Sequence, residues 1–328
     1  MINRPTCLIL GAGASMPYGF PSGKALKEEI CDKLQSGYLL YDQLIQLGHS
    51  QDFIAEFIHA LKYSAKKSID SFLEHRQEYQ TIGKMAIAFS ILARENLNAM
   101  FFTQQESKIP RSYAVDYARY WYDYLFEKIG GNPKHFQENK LKILTFNYDR
   151  SLETFLYHSF KNSYNLSDED CRSFLAHLEI IHLHGTVAKN IWDAPTGKEY
   201  PQNGESRISL EDLKLSVDNI KIVHEALPTS PEFARAREIL NQSTSICFFG
   251  FSYHTDSLER LDFKSLISQK EFHGTAYGMG KQEVVNVKSY FDLIWLPHHP
   301  GHPHKVQQKI RMGTETEGTI DYLKNYSI

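Results

Sequence analysis

Two short polar segments carry side chains suited to chemistry on a sugar: Thr145-Phe146-Asn147-Tyr148-Asp149 and His182-Leu183-His184-Gly185. An asparagine can donate and accept, so Asn147 can hold a ribose hydroxyl or orient an attacking water. A histidine is a natural general base near neutral pH, the role open to His184. His182 stands two residues earlier, and the two rings are expected on opposite faces of a strand. Proximity to Gly185 selects His184 as the one facing a crevice. Each residue also has a plainer reading. Asn147 can be a turn residue whose side chain caps its own backbone. Asp149 fits a helix N-cap. His184 can be a packed ring bonded to a carbonyl.

Two glycine-bearing segments add to these. Gly11-Ala12-Gly13-Ala14-Ser15 follows the apolar run Cys7-Leu8-Ile9-Leu10 and precedes Gly19, Pro21 and a helix from near Ser22. Glycines there let a backbone approach a pyrophosphate, and a helix N-terminus offers unpaired N–H groups to it. The segment lacks the full GxGxxG spacing. Its plainer reading is a tight strand-to-helix turn with no ligand. Gly250-Phe251-Ser252 follows the run Ser245–Phe249 and suits phosphate or ribose contacts. Asp256, further on, reads as the cap of the next helix rather than as a ribose ligand.

The elements that must position these loops are short apolar runs without alternation: Thr6–Leu10, Lys142–Phe146, Glu179–Leu183, Ser245–Phe249, Gly274–Tyr277 and Asp292–Leu296. Such runs are strands buried on both faces, as in a parallel sheet covered by helices. Helical patterns separate them at Gly23–Leu34, Arg150–Ser159, Ser230–Leu240 and Lys281–Phe291. The expected fold is α/β, a Rossmann-like doubly wound parallel sheet, whose strands deliver their C-terminal loops to one crevice.

The interval between the first two strands is too long for one crossover. Residues 35–138 read as a helical insertion. Within it, Ser68 or Asp70 is an N-cap candidate, Met85–Phe102 has helical spacing, and Ser112–Ile129 carries Tyr113, Tyr117, Tyr120, Trp121, Tyr124 and Leu125. That aromatic stripe reads as insertion core. Residues 186–229 form an irregular insertion, either an ordered lobe or a mobile flap. His298, His299, His302 and His304 sit in a Pro/Gly-broken connection that reads as a solvated loop rather than a metal site. A short amphipathic helix is expected near Ile320–Tyr326. There is no internal repeat.

The 328 residues are 42% apolar, enough for a sizeable core, and carry a net charge of −3. That charge gives no bulk attraction to nucleic acid. The four cysteines, Cys7, Cys31, Cys171 and Cys247, form no CxxC pair, which argues against a disulfide framework and a cysteine zinc site. Neither a signal core nor a membrane span is evident, and a soluble cytoplasmic protein is expected.

Taken together, the loops resemble the sirtuin family. Gly11-Ala12-Gly13-Ala14-Ser15 is similar to its opening nucleotide loop. Thr145–Asp149 is similar to its TQNxD motif, with Phe146 in place of Gln. His184-Gly185 matches its catalytic His-Gly, and Gly250-Phe251-Ser252 its later G-[ST]-S loop. Protein-deacetylating sirtuins carry two CxxC pairs after the histidine, forming a zinc module beside the acyl-peptide groove. Thr186–Thr229 has no cysteine. The family's Asp-Phe-Arg is also absent, and Gly19-Phe20-Pro21-Ser22-Gly23-Lys24 stands there. In these departures the chain is similar to bacterial sirtuin-like effectors of antiphage systems, such as the Thoeris effector and partners of HerA-type ATPases or short Argonautes. Ser68-Ile69-Asp70 resembles a stretch of their helical insertion.

The resemblance implies one sirtuin-like catalytic domain over residues 1–328, without a zinc module. It implies hydrolysis of NAD to nicotinamide and ADP-ribose, as the toxic effector of abortive infection. The catalytic residues would be Asn147 and His184. Nucleotide contacts would come from Gly11, Ala12, Gly13, Ser15, Pro21, Thr145, Asp149, Gly250, Phe251 and Ser252. NAD is then the substrate, with no metal. A homo-oligomer and a regulatory partner, such as a HerA-type ATPase or a short Argonaute, are expected because no separate sensor domain is evident. An NAD-dependent protein deacylase and a non-catalytic NAD or ADP-ribose sensor are the alternatives. A dehydrogenase would leave the Asn and His-Gly loops without a role.

Overall fold

The computed structural model describes residues 1–101, 121–130, 133–195, 197–202, 208–294 and 309–317. Six strands form one all-parallel sheet: β1 (Thr6–Leu10), β2 (Leu141–Thr145), β3 (Ile180–His182), β4 (Ser245–Phe249), β5 (Glu271–Gly274) and β6 (Ile310–Met312). Their order across the sheet is β3-β2-β1-β4-β5-β6. This is a Rossmann-like α/β fold. The winding reverses between β1 and β4, which in such sheets is where the crevice opens at the carboxyl ends. Leu10 pairs with Thr145 on one side and with Phe249 on the other, and Thr145 pairs with His182. Four loops therefore leave the sheet at one level.

The strands need no alternation because both faces are covered. Every residue of β1 and β4 is buried. Leu8, Leu10, Ile143, Cys247 and Phe249 pack into one core. Cys7, Ile9, Leu144, Ile246 and Phe248 pack into the other. Between β1 and β2 the described chain is helical: α1 (Ala12–Ser15), α2 (Gly23–Lys33), α3 (Leu39–Gln46), α4 (Gln51–Tyr63), α5 (Ile69–Leu73), α6 (Gln80–Leu92), α7 (Leu97–Phe101) and α8 (Trp121–Gly130). Ser22 caps α2 by accepting from the Ala25 N–H, and Ser68 caps α5 by accepting from the Ser71 N–H. Residues 82 to 92 of α6 are all buried. A helix apolar all round is an interior helix, and α6 is the axis of this helical layer. Trp121 and Leu125 are buried in it, whereas Tyr113, Tyr117 and Tyr120 lie outside the described residues.

After β2 come α9 (Ser151–Tyr164) and α10 (Asp168–Leu178), and after β3 come α11 (Leu210–Asn219) and α12 (Pro231–Gln242). After β4 comes α13 (Thr255–Leu261), and after β5 comes α14 (Lys281–Asp292). The helices α12, α13 and α14 cover the second core. Among the described residues no helix is long and apolar enough to cross a membrane.

The last two strands differ from the sequence reading. The fifth is Glu271–Gly274, three residues earlier than the expected Gly274–Tyr277 and sharing only Gly274 with it. The expected sixth strand, Asp292–Leu296, is not one over its described part. α14 runs on to Asp292, and Leu293 and Ile294 follow outside any strand. Ile294 is buried in the second core, so its apolarity reflects packing rather than sheet. The sixth strand is Ile310–Met312, a sheet edge with Ile310 buried, Arg311 exposed and Met312 half-buried. The sites of the four C-terminal histidines and of the helix near Ile320–Tyr326 lie outside the described residues.

Candidate active site

Asn147 leaves the end of β2 with nearly every polar atom committed. Its N–H donates to Thr145 Oγ1 (3.0 Å), and its carbonyl accepts from His182 Nδ1 (2.9 Å). Its side-chain Nδ2 donates to Gly11 O and to Ser15 Oγ, both at 3.0 Å. A carbonyl can only accept, so the bond to Gly11 fixes which end of the carboxamide is nitrogen. The remaining atom, Oδ1, has no protein donor among the described residues. Asn147 is thus neither a turn residue bonded to itself nor a free side chain. It is a rigid post offering one acceptor.

His184 follows the end of β3 and is 8% exposed. Its ring meets Phe146 edge-on at 5.3 Å between centroids and lies 6.3 Å from Tyr148. The residues flanking Asn147 therefore hold the ring of His184. The buried Nε2 has no hydrogen-bond partner among the described residues. Burial, then the nearby Arg260 cation, pushes the imidazole down to about 4. The ring is neutral through the whole physiological range, with a lone pair to give.

His182 and His184 have different surroundings, but strand alternation is not the cause. Residues two apart in a strand share a face. β3 ends at His182, and the turn that follows redirects the chain. Gly185 has φ +71°, and a Cβ there would sit 1.9 Å from Asn219 O. It pairs antiparallel with Ile220, and the Lys221 N–H donates to His184 O (2.8 Å).

Around this pair stand the other sequence candidates. Ser15 is buried beside Asn147, and Thr145 and Asp149 are buried beneath the loop. Asp149 is not the N-cap of α9, a position taken by Arg150. Its carboxylate bonds the Ser151 hydroxyl and accepts from the Ser151 N–H (3.2 Å). Burial raises its pKa, against hydrogen bonds from Ser151 and Ser15. Asp256 lies in the first turn of α13, with His254 at the cap position. Phe251 packs 5.2 Å from the Phe146 ring, and Ser252 is exposed. Ala12 and Pro21 are half-buried.

The glycine loop closes on the protein itself. The N–H groups of Gly11, Gly13 and Ala14 donate to Phe249 O, Gly250 O and Gly11 O. A Cβ on Gly13 would lie 2.7 Å from Gly250 Cα. These glycines allow two loops at the switch point to touch, and the amides of Gly11 and Gly13 are not presented to a ligand.

Sequence reading missed several supports. The Tyr148 hydroxyl donates to Asp70 of α5, tying the helical layer to the Asn147 loop. Burial raises the Asp70 carboxyl, against that bond. His182 Nε2 bonds Glu153 Oε1 of α9 (2.5 Å), and the Gly250 N–H donates to Thr275 Oγ1 (2.9 Å). These partners are far apart in sequence, and no local pattern marks them. Elsewhere, a groove of about 960 Å³ on the helical layer is lined by His59, Tyr63, Phe72, Arg76 and Tyr79. A cavity of about 120 Å³ is lined by Val187, Lys198, Asp212 and Asn219 among others. Neither is lined by Asn147 or His184. Among the described residues no group of three or more His, Cys, Asp or Glu could hold a metal ion.

No protein-family model matches the chain, and no curated protein matches it in sequence.

Proposed function

We propose that the chain hydrolyses NAD to nicotinamide and ADP-ribose. The observation that carries this reading is the pairing of two unsatisfied groups, Asn147 Oδ1 and His184 Nε2, on neighbouring loops at the carboxyl end of a Rossmann-type sheet. A buried ring nitrogen without a partner costs free energy, about 1–3 kcal/mol, and such a group is retained where a ligand completes it.

The chemistry asks little of the protein beyond position. Nicotinamide in NAD is already cationic, so its bond to C1′ breaks without an acid, and the electron pair leaves with the ring. The sugar passes through an oxocarbenium-like state. A water adds to C1′ and loses its proton to the neutral His184. Asn147 Oδ1 accepts from a ribose hydroxyl or from that water. Phe146 and Phe251 supply an apolar wall, and the Gly11–Ser15 and Gly250–Ser252 loops flank the nucleotide. The likeness to antiphage effectors supplies the biological setting: NAD depletion in an infected cell, under control of self-assembly or of a partner protein.

Nicotinamide release by the isolated chain tests the reading. His184→Ala is expected to lower the rate by about 10²–10⁴, and Asn147→Ala comparably, with folding intact by circular dichroism. Wild type that binds NAD and leaves it intact would make the protein a sensor. Mutants as active as wild type would remove both residues from the mechanism.

A further inference from the structure

His182 and Glu153 take no part in the mechanism above, yet both side chains are largely buried, at 13% and 15% exposure. Glu153 projects from α9, and His182 ends β3. The imidazole spans two acceptors, the Asn147 carbonyl at Nδ1 (2.9 Å) and the Glu153 carboxylate at Nε2 (2.5 Å). A neutral imidazole has only one N–H. Both bonds therefore exist together only while the pair holds an extra proton, as imidazolium and carboxylate. Once it leaves, the single N–H stays with the stronger acceptor, the carboxylate. The Nδ1 lone pair then faces the Asn147 carbonyl oxygen, and that bond is lost.

We propose that His182 and Glu153 form a proton-dependent strut that fixes the Asn147 carbonyl and thereby aims Oδ1 at the ligand. Its activity readout rests on the hydrolase reading. The strut is a positioning device, since neither side chain needs to touch the substrate. Thr145 holds the Asn147 N–H, and Gly11 with Ser15 holds Nδ2. The carbonyl is the last anchor, and among the described residues His182 alone supplies it. The charged groups around the ring are Glu153 on α9 and Asp149 in the β2 loop. Asp193, in turn, feels the charges of Glu153 and Arg150. Burial alone would lower His182, but Glu153, the Asn147 carbonyl and Asp149 outweigh it and raise the ring to about 9.

The test is nicotinamide release by the full chain between about pH 5 and 10, with folding followed by circular dichroism. Wild type should hold its rate to about pH 8 and lose it with a midpoint near 9. Glu153→Gln removes the carboxylate that competes for the single N–H, and its carboxamide can donate to Nε2. A neutral ring then keeps its Nδ1–H on the Asn147 carbonyl, so the alkaline limb should vanish and the rate should change less than about twofold between pH 7 and 10. His182→Gln should show a low rate with no limb in that region. Losses of equal proportion at every pH in both variants would mean a merely structural contact and overturn the strut. Wild type inactive at every pH would sink the hydrolase reading instead. The strut would then stand or fall on NMR of the labelled chain: the His182 ring nitrogens and the Asn147 side-chain amide should titrate with one midpoint, and separate midpoints overturn it.

Discussion

Asn147 shows how much a single residue can be constrained by its neighbours. With Nδ2 facing Gly11 O and Ser15 Oγ, the isosteric Asn147→Asp places a carboxylate oxygen against a carbonyl. The buried contact turns from attraction to repulsion, at a cost of about 1–3 kcal/mol. Denaturant unfolding should show that loss, and ADP-ribose binding should weaken with it. The two histidines make opposite claims on pH. His184 is held near 4 in the folded chain, below its unfolded value of about 6.5. The unfolded chain takes the proton first, so stability falls as pH drops from about 6.5 to 4. His182 is held near 9, above its unfolded value. Its contribution is full below about 6.5 and is lost as pH rises to 9. Each limb is on the order of 3 kcal/mol. Thermal melts across this range should lose the alkaline limb in His182→Gln and the acid limb in His184→Gln. Asn147 and His184 were legible because polar residues at strand ends stand out against apolar runs. The role of His182 was not, because it depends on Glu153, a helix residue that no spacing connects to it.

Among the elements, the irregular insertion was undecided from composition, and one side chain anchors part of it. Arg150, 1% exposed, forms a bidentate ion pair with Glu95, which is 0% exposed. It also donates to the carbonyls of Lys189, Lys198 and Glu199. The residues after β3 are thereby clamped to the start of α9 and to the segment after α6. Burial raises the Glu95 carboxyl, against the pull of Arg150. Arg150→Met leaves that carboxyl unpaired, and denaturant unfolding should show a loss of about 3–5 kcal/mol. Strands β1 and β4 were readable to the residue because central strands buried on both faces give unbroken apolar runs. β6 was not, since Ile310-Arg311-Met312 is a short edge strand in which Ile310 alone is buried. The helix capped by Ser22 was readable because the cap is local, whereas Asp149 stands one residue before the cap position, Arg150, and its carboxylate accepts from the Ser151 N–H two residues on.

At the scale of the whole molecule, strand order brings the candidate residues together. β1 lies between β2 and β4, so the Gly11, Asn147 and Gly250 loops meet although they are widely separated in the chain. Their fit depends on Gly250, with φ +56°, where a Cβ would lie 2.0 Å from the Ala14 nitrogen. Gly250→Ala must part the two loops and hold a strained backbone, at a cost of about 1–3 kcal/mol. It should weaken ADP-ribose binding in calorimetry even at temperatures where the chain stays folded. The most direct measurement of the central claim is a crystal structure of the chain with ADP-ribose. The sugar is expected next to the carbonyl ends of β2 and β3, with a hydroxyl about 3 Å from Asn147 Oδ1 and C1′ facing the His184 ring. Nucleotide lodged in the groove of the helical layer, with both side chains left unengaged, would contradict it.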